Sequence, residues 1–167
     1  MNAVNEDRIS ELTVAALERM AFLLADPGEF DSAAQAVACR RAKIRYSGPC
    51  AGTLVLEAND EFARLLAAGL LGVEPTAVLP ATDGQEAIQE LANIVGGLLI
   101  LELGASTRQI YLGLPEPCDA AAEIEAASFG GALPAPAALA ARFCIRCDEG
   151  SLYVTWLDET GPAGALK

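Results

Sequence analysis

Glu86, Glu90, Asn93 and Gly97 stand at intervals of four, three and four residues in the stretch EAIQELANIVGG. At about 100° per residue they fall on one ridge of a helix. Ile88, Leu91, Val95, Leu98 and Leu99 fall on the opposite side and must face a core. An acid three residues before an amide places two functions within one turn. The carboxylate can hold a cation through a charge-assisted hydrogen bond. The carboxamide has an acceptor and donors, so it can orient a water molecule, although it is no conventional base. A solvated helix face would explain the acids alone. Asn and Gly are each poorer helix formers than Ala, and Gly costs about 1 kcal/mol in a helix interior. Gly97 thus points to close approach by another backbone.

Composition narrows the chemistry. The chain has 167 residues, 53% apolar and 20% charged, which suits one core-forming domain. Its net charge of −12 repels phosphate backbones and anionic membranes, so nucleic acid is a poor partner. A basic surface, or one carrying a cation, is compatible. There is no histidine, which removes His-based triads, His general bases and the commonest metal ligand. The five cysteines are Cys39, Cys50, Cys118, Cys144 and Cys147. Cys144 and Cys147 form a CxxC within RFCIRCD, an alternating run that reads as strand. Residues three apart on a strand point to opposite faces, so these read as small buried hydrophobes rather than a metal or redox pair. No apolar run approaches the roughly 18 to 20 residues of a membrane helix, and no signal peptide is evident. The expectation is a soluble, cytoplasmic protein.

The elements that must position the ridge follow from periodicity. Ile9 to Ala25 reads as a helix, stopped by Asp26-Pro27-Gly28, with residues 1–8 as a frayed, flexible tail. A short helical piece is expected over Asp31 to Val37. RRAKIRYSG and GTLVLEAND alternate and form a hairpin, and Asn59 or Asp60 can cap the helix EFARLLAAGLLG. The long helix should run from near Asp83 to about Leu103, with Gly104 ending it. Thr82 with Gln85, or Asp83 with Glu86, could form its capping box. TRQIYLGLP, Thr107 to Pro115, reads as a strand. Asp119 to Ala137 suggests a short helix and a loop. AARFCIRCD and SLYVTWLDE make a last hairpin about Glu149-Gly150, and 159–167 is a loose tail. The fold class is therefore α/β of the α+β type. It is a largely antiparallel mixed sheet of about five strands packed on two long helices, one domain over 9–158.

Glu90-Leu-Ala-Asn93, followed by Ile94 and Gly97, resembles the ExxN signature of the CheC/CheX/FliY family of chemotaxis phosphatases, and most resembles its single-motif CheX-like branch. Pro115 lies 22 positions after Asn93, in keeping with the proline that follows the motif in that family. LERMAFLLADP is similar to the family's first helix, so the likeness spans roughly Leu12 to Asp158. Leu98 stands where the branch often has Asn. The corresponding place on the first helix reads Glu18-Arg-Met-Ala21, without an amide.

The resemblance implies an enzyme that stimulates hydrolysis of the aspartyl phosphate on a CheY-type response regulator. Asn93 would orient the attacking water, and Glu90 would pair with the receiver's lysine. Glu86, Gly97 and Pro115 would belong to the partner-binding surface. No cofactor of its own is implied, since the receiver supplies Mg²⁺. A homodimer formed by joined sheets is also implied; Ile100 and Leu101, which swing off the core arc, and a short edge strand in TRQIYLGLP are compatible with it. The alternatives are a non-catalytic module of the same fold that docks a receiver or flagellar-switch component, and a structural domain with a chance motif.

Overall fold

A computed structural model describes residues 6–104, 109–118, 138–148 and 150–159. Helix α1, Glu6–Ala21, leads into strand β1, Asp26–Gly28, and the short helix α2, Ser32–Ala36. Strands β2, Arg40–Ser47, and β3, Gly52–Ala58, precede α3, Asp60–Leu71. After two short turns comes α4, Gln85–Glu102, then β4, Tyr111–Leu112, and β5, Glu116–Pro117. Strands β6, Ala138–Cys147, and β7, Gly150–Asp158, complete the order.

The strands form one seven-stranded sheet in the order β1-β6-β7-β3-β2-β4, with β5 also pairing β2. Every described pair is antiparallel. The architecture is the expected α+β arrangement, enlarged by the three very short strands β1, β4 and β5. Alternation makes each long strand two-faced. Ala42, Ile44 and Tyr46 of β2, Leu54 and Leu56 of β3, and Val154 and Trp156 of β7 turn toward the helices. They meet Ile9 and Leu17 of α1, Phe62 and Leu66 of α3, and Ile88, Leu91, Val95 and Leu99 of α4, all buried. Each such side chain contributes about 1.5–3 kcal/mol by burial. Within this core the Trp156 indole donates to the Tyr46 hydroxyl at 2.9 Å, which satisfies the one polar atom of each ring.

Several boundaries differ from expectation. Residues 6–8, read as part of a frayed tail, are the first turn of α1. The helix ends at Ala21 rather than Ala25, because Phe22 takes a left-handed conformation (φ 52°). Asp26-Pro27-Gly28 does more than stop that helix. It pairs with Cys144 to Arg146 as an edge strand, where the proline's missing N–H costs no ladder bond. In the TRQIYLGLP segment, Tyr111 and Leu112 pair with β2, while Thr107 and Arg108 lie outside the described residues. So do 119–137, Glu149 and the tail from 160 onward. Cys144 and Cys147 are both buried. Cys147 joins the core under the helices, where burial pushes its thiol up to about 11, and Cys144 lies opposite Tyr153.

Glu57 of β3 is 3% exposed, on the sheet face away from α3 and α4. It accepts from the Gln35 amide of α2 and from the Arg41 guanidinium at 3.2 Å. Burial nevertheless pushes its carboxyl above the ordinary glutamate value, with the Gln35 and Arg41 contacts opposing. The folded state thus binds this proton more tightly than the unfolded chain, and ionisation on raising the pH costs stability. Urea unfolding at several pH values should show wild type losing stability relative to Glu57→Gln as pH rises from the ordinary carboxylate value through the raised one. A difference that does not change with pH would contradict the assignment.

Candidate functional site

The site is built on α4. Its entry is not a capping box. Pro80–Gly84 forms a π-helical turn, and the Asp83 carboxylate accepts from the Leu79 N–H at 2.9 Å. Asp83 is thereby committed to the turn before the helix, and Gly84 at the helix start has no side-chain cap. At the other end Gly104 adopts φ 93° and stops the helix, as expected.

Packing fixes how α4 is rotated. Ile88, Leu91, Val95 and Leu99 are buried, and Leu98 is half-buried at the margin. The two adjacent glycines have different reasons to exist. A Cβ on Gly96 would come within 3.0 Å of Ile44 and 3.2 Å of Leu112, so Gly96 lets the helix settle onto β2 and β4. A Cβ on Gly97 would meet nothing within 4 Å. No packing inside this chain, among its described residues, calls for a glycine at position 97.

Two glutamines tie the flank of the helix to its neighbours. Gln85 Nε2 donates to the Arg41 carbonyl at 2.8 Å, and Gln89 Nε2 reaches the Pro115 carbonyl at 3.4 Å. The second contact places half-buried Pro115 beside the motif turn. At the far end Arg8 of α1 donates to Glu102 at 2.9 Å. Sequence reasoning missed the two glutamine tethers. Their i, i+4 spacing along one flank was the signal available.

Of the expected residues, Glu86, Glu90 and Asn93 are all exposed, and Gly97 is half-buried on the same side of α4. Neither Glu90 nor Asn93 makes a side-chain hydrogen bond with another described residue. Both are therefore available to something outside the chain, on a helix that is locked on its other side. The corresponding position on α1 is different in kind. Ala21 is 4% exposed, and its carbonyl lies where a Cβ on Gly69 of α3 would fall. That turn is pressed against α3 and presents no second amide. No group of three or more metal-ligating side chains occurs among the described residues, and no described helix is long and apolar enough to cross a membrane.

Residues 41–130, more than half of the chain, match the family described as chemotaxis phosphatase CheX. The chain belongs to the CheX family. No curated protein matches it. Solved structures support the same fold at low identity. CheX from Vibrio vulnificus is 15% identical with a TM-score of 0.66, over 95% of this chain and 100% of that one. CheX from Desulfovibrio desulfuricans is 15% identical with a TM-score of 0.62, over 90% and 96%. CheX in the CheX–CheY–BeF3–Mg²⁺ complex from Borrelia burgdorferi is 15% identical with a TM-score of 0.56, over 93% and 99%. Membership in the CheX family makes this a chemotaxis-phosphatase fold.

The glycine pair makes a direct prediction. Gly97→Ala should stabilise the isolated protein by about 1 kcal/mol, because helix propensity improves and nothing is displaced. Gly96→Ala should stabilise it less than Gly97→Ala does, since Ile44 and Leu112 must give by a few tenths of an ångström. Thermal or urea unfolding of the two variants checks this. Equal effects would mean that the two glycines share one role.

Proposed function

We propose that this chain stimulates hydrolysis of the aspartyl phosphate on a CheY-type response regulator, with Asn93 as the catalytic residue that positions water. The observation that carries this reading is the exposure of Glu90 and Asn93 on one side of a helix anchored along its other side. The CheX–CheY complex among similar structures supports the choice of partner.

The chemistry asks little of this chain. An acyl phosphate is labile, and the receiver brings Mg²⁺ and a lysine to neutralise the phosphoryl oxygens. What is missing is a water aligned with the bond to be broken. Positioning and charge stabilisation supply most of the acceleration in phosphoryl transfer. The Asn93 carboxamide accepts a hydrogen bond from that water and donates toward a phosphoryl oxygen. The water oxygen bonds to phosphorus, and the bond from phosphorus to the aspartyl oxygen breaks. Inorganic phosphate leaves, the aspartate is restored, and the water's proton passes to phosphate or solvent. Glu90, one turn earlier, pairs with the receiver lysine and fixes the register of the two proteins. Glu86 adds attraction for the receiver's cations, Gly97 admits its backbone, and Pro115 flanks the contact. The chain needs no metal of its own for these steps.

The chain also suits a homodimer. Leu101 and Tyr111, at the end of α4 and on edge strand β4, are 60% and 61% exposed. A second copy pairing at that edge would cover both. Light scattering at micromolar concentration should give twice the monomer mass, and a monomeric mass would refute the dimer.

For the reaction, phosphorylated receiver is mixed with the chain and phosphate loss is timed. Asn93→Ala should lose about a hundredfold or more of the stimulated rate while keeping its fold, and Glu90→Ala should mainly weaken binding. Wild-type turnover by Asn93→Ala would refute the role. Wild-type chain that prolongs the life of the phosphate would show a docking module instead.

A further inference from the structure

Beside the ridge, between the last turns of α3 and the first turns of α4, lies an open groove of about 310 Å³. Ala67 and Ala87 are its buried floor, Leu70 is half-buried, and Leu71 forms a lip that is 60% exposed. Asp83, Glu86 and Glu90 complete the lining, with no basic residue among them. The groove thus has apolar walls and an acidic rim, and two of its rim residues belong to the ridge itself. Because Glu86 and Glu90 line the groove as well as the ridge, a partner aligned on Glu90 and Asn93 sits beside its mouth.

We propose that this groove is a second attachment point for the receiver, accepting one long side chain with an apolar stem and a cationic head from outside the receiver's phosphorylation site. The inference rests on the receiver reading above, which supplies the alignment. An arginine or lysine fits both halves of the lining. Its methylenes lie along Ala67, Leu70, Leu71 and Ala87, while its charge stays at the wet rim among the carboxylates. A wholly apolar occupant would bury part of that rim without partners, and an anion would be repelled. In that reading Glu90 already engages the receiver lysine, so the groove's occupant comes from another part of the receiver.

The test uses the full chain and the receiver domain whose dephosphorylation it stimulates most, loaded with Mg²⁺ and beryllofluoride as a stand-in for the phosphoryl group. Dissociation constants are measured at low and moderate salt for wild type, Leu71→Ser, Glu86→Gln and Asn93→Ala, with thermal melts confirming that each folds. Leu71→Ser should bind at least tenfold more weakly at both salt concentrations. Glu86→Gln should bind several-fold more weakly at low salt and show a shallower salt dependence, because one rim charge is gone. If both variants bind as wild type does while Asn93→Ala loses turnover, the groove is not an attachment point and the water-positioning role stands. If Leu71→Ser weakens binding but Glu86→Gln leaves the salt dependence unchanged, the occupant carries no cation and the proposal is overturned. If wild type binds no activated receiver domain, the receiver reading and the groove fall together.

Discussion

The contact on which the rest depends is the close seating of α4 on β2 at Gly96. One missing methyl group lets the helix lie against Ile44 and Leu112. That depth determines which residues turn inward. Ile88, Leu91, Val95 and Leu99 fill the space above the sheet, and the opposite side is left to Glu86, Glu90 and Asn93. A close-packed interior allows few rotations of such a rod, because turning it would pull Leu99 or Val95 out of the core and drive polar groups in. The exposed ridge is thus a by-product of the buried one. A carboxamide on this helix is held by backbone geometry and core packing rather than by bonds of its own.

Charge is distributed unevenly around this frame. The ridge and the groove beside it are acidic. Six of the eleven basic residues, Arg40, Arg41, Lys43, Arg45, Arg142 and Arg146, belong to strands β2 and β6. On β2, Arg41, Lys43 and Arg45 alternate with the core residues Ala42, Ile44 and Tyr46, so they occupy the sheet face turned away from α4, while Arg40 pairs with Asp60 at the start of α3. Helices α1, α3 and α4 carry nine acidic residues against three basic ones, so half of the net charge of −12 sits on them. Around the ridge and groove, a cationic surface is attracted and an anionic one repelled.

Much of this was legible in the sequence because local periodicity and tertiary burial agree. The three-and-four spacing of apolar residues located α4 and its orientation, and alternation located both long hairpins. Asn59 caps α3 as expected, its Oδ1 accepting from the Phe62 N–H at 2.9 Å. What escaped was non-local. Asp26-Pro27-Gly28 has the composition of a turn and is a strand only because β6 passes beside it. Asp83 looked like a partner for Glu86, yet its carboxylate is taken by Leu79 in a π-helical turn that no spacing rule signals. The groove between α3 and α4 depends on the distance between two helices, which no single segment encodes. The ridge was visible because one helix carries all of it, and Pro115 joined it only through a tertiary contact with Gln89.

The two glutamine tethers have a consequence for how the platform responds to its surroundings. Both are neutral amides donating to backbone carbonyls, and the chain contains no histidine. Neither tether involves a group that gains or loses a proton near neutrality, and neither is an ion pair that dissolved salt would weaken. The helix flank is thereby insensitive to changes in acidity and ionic strength near neutrality.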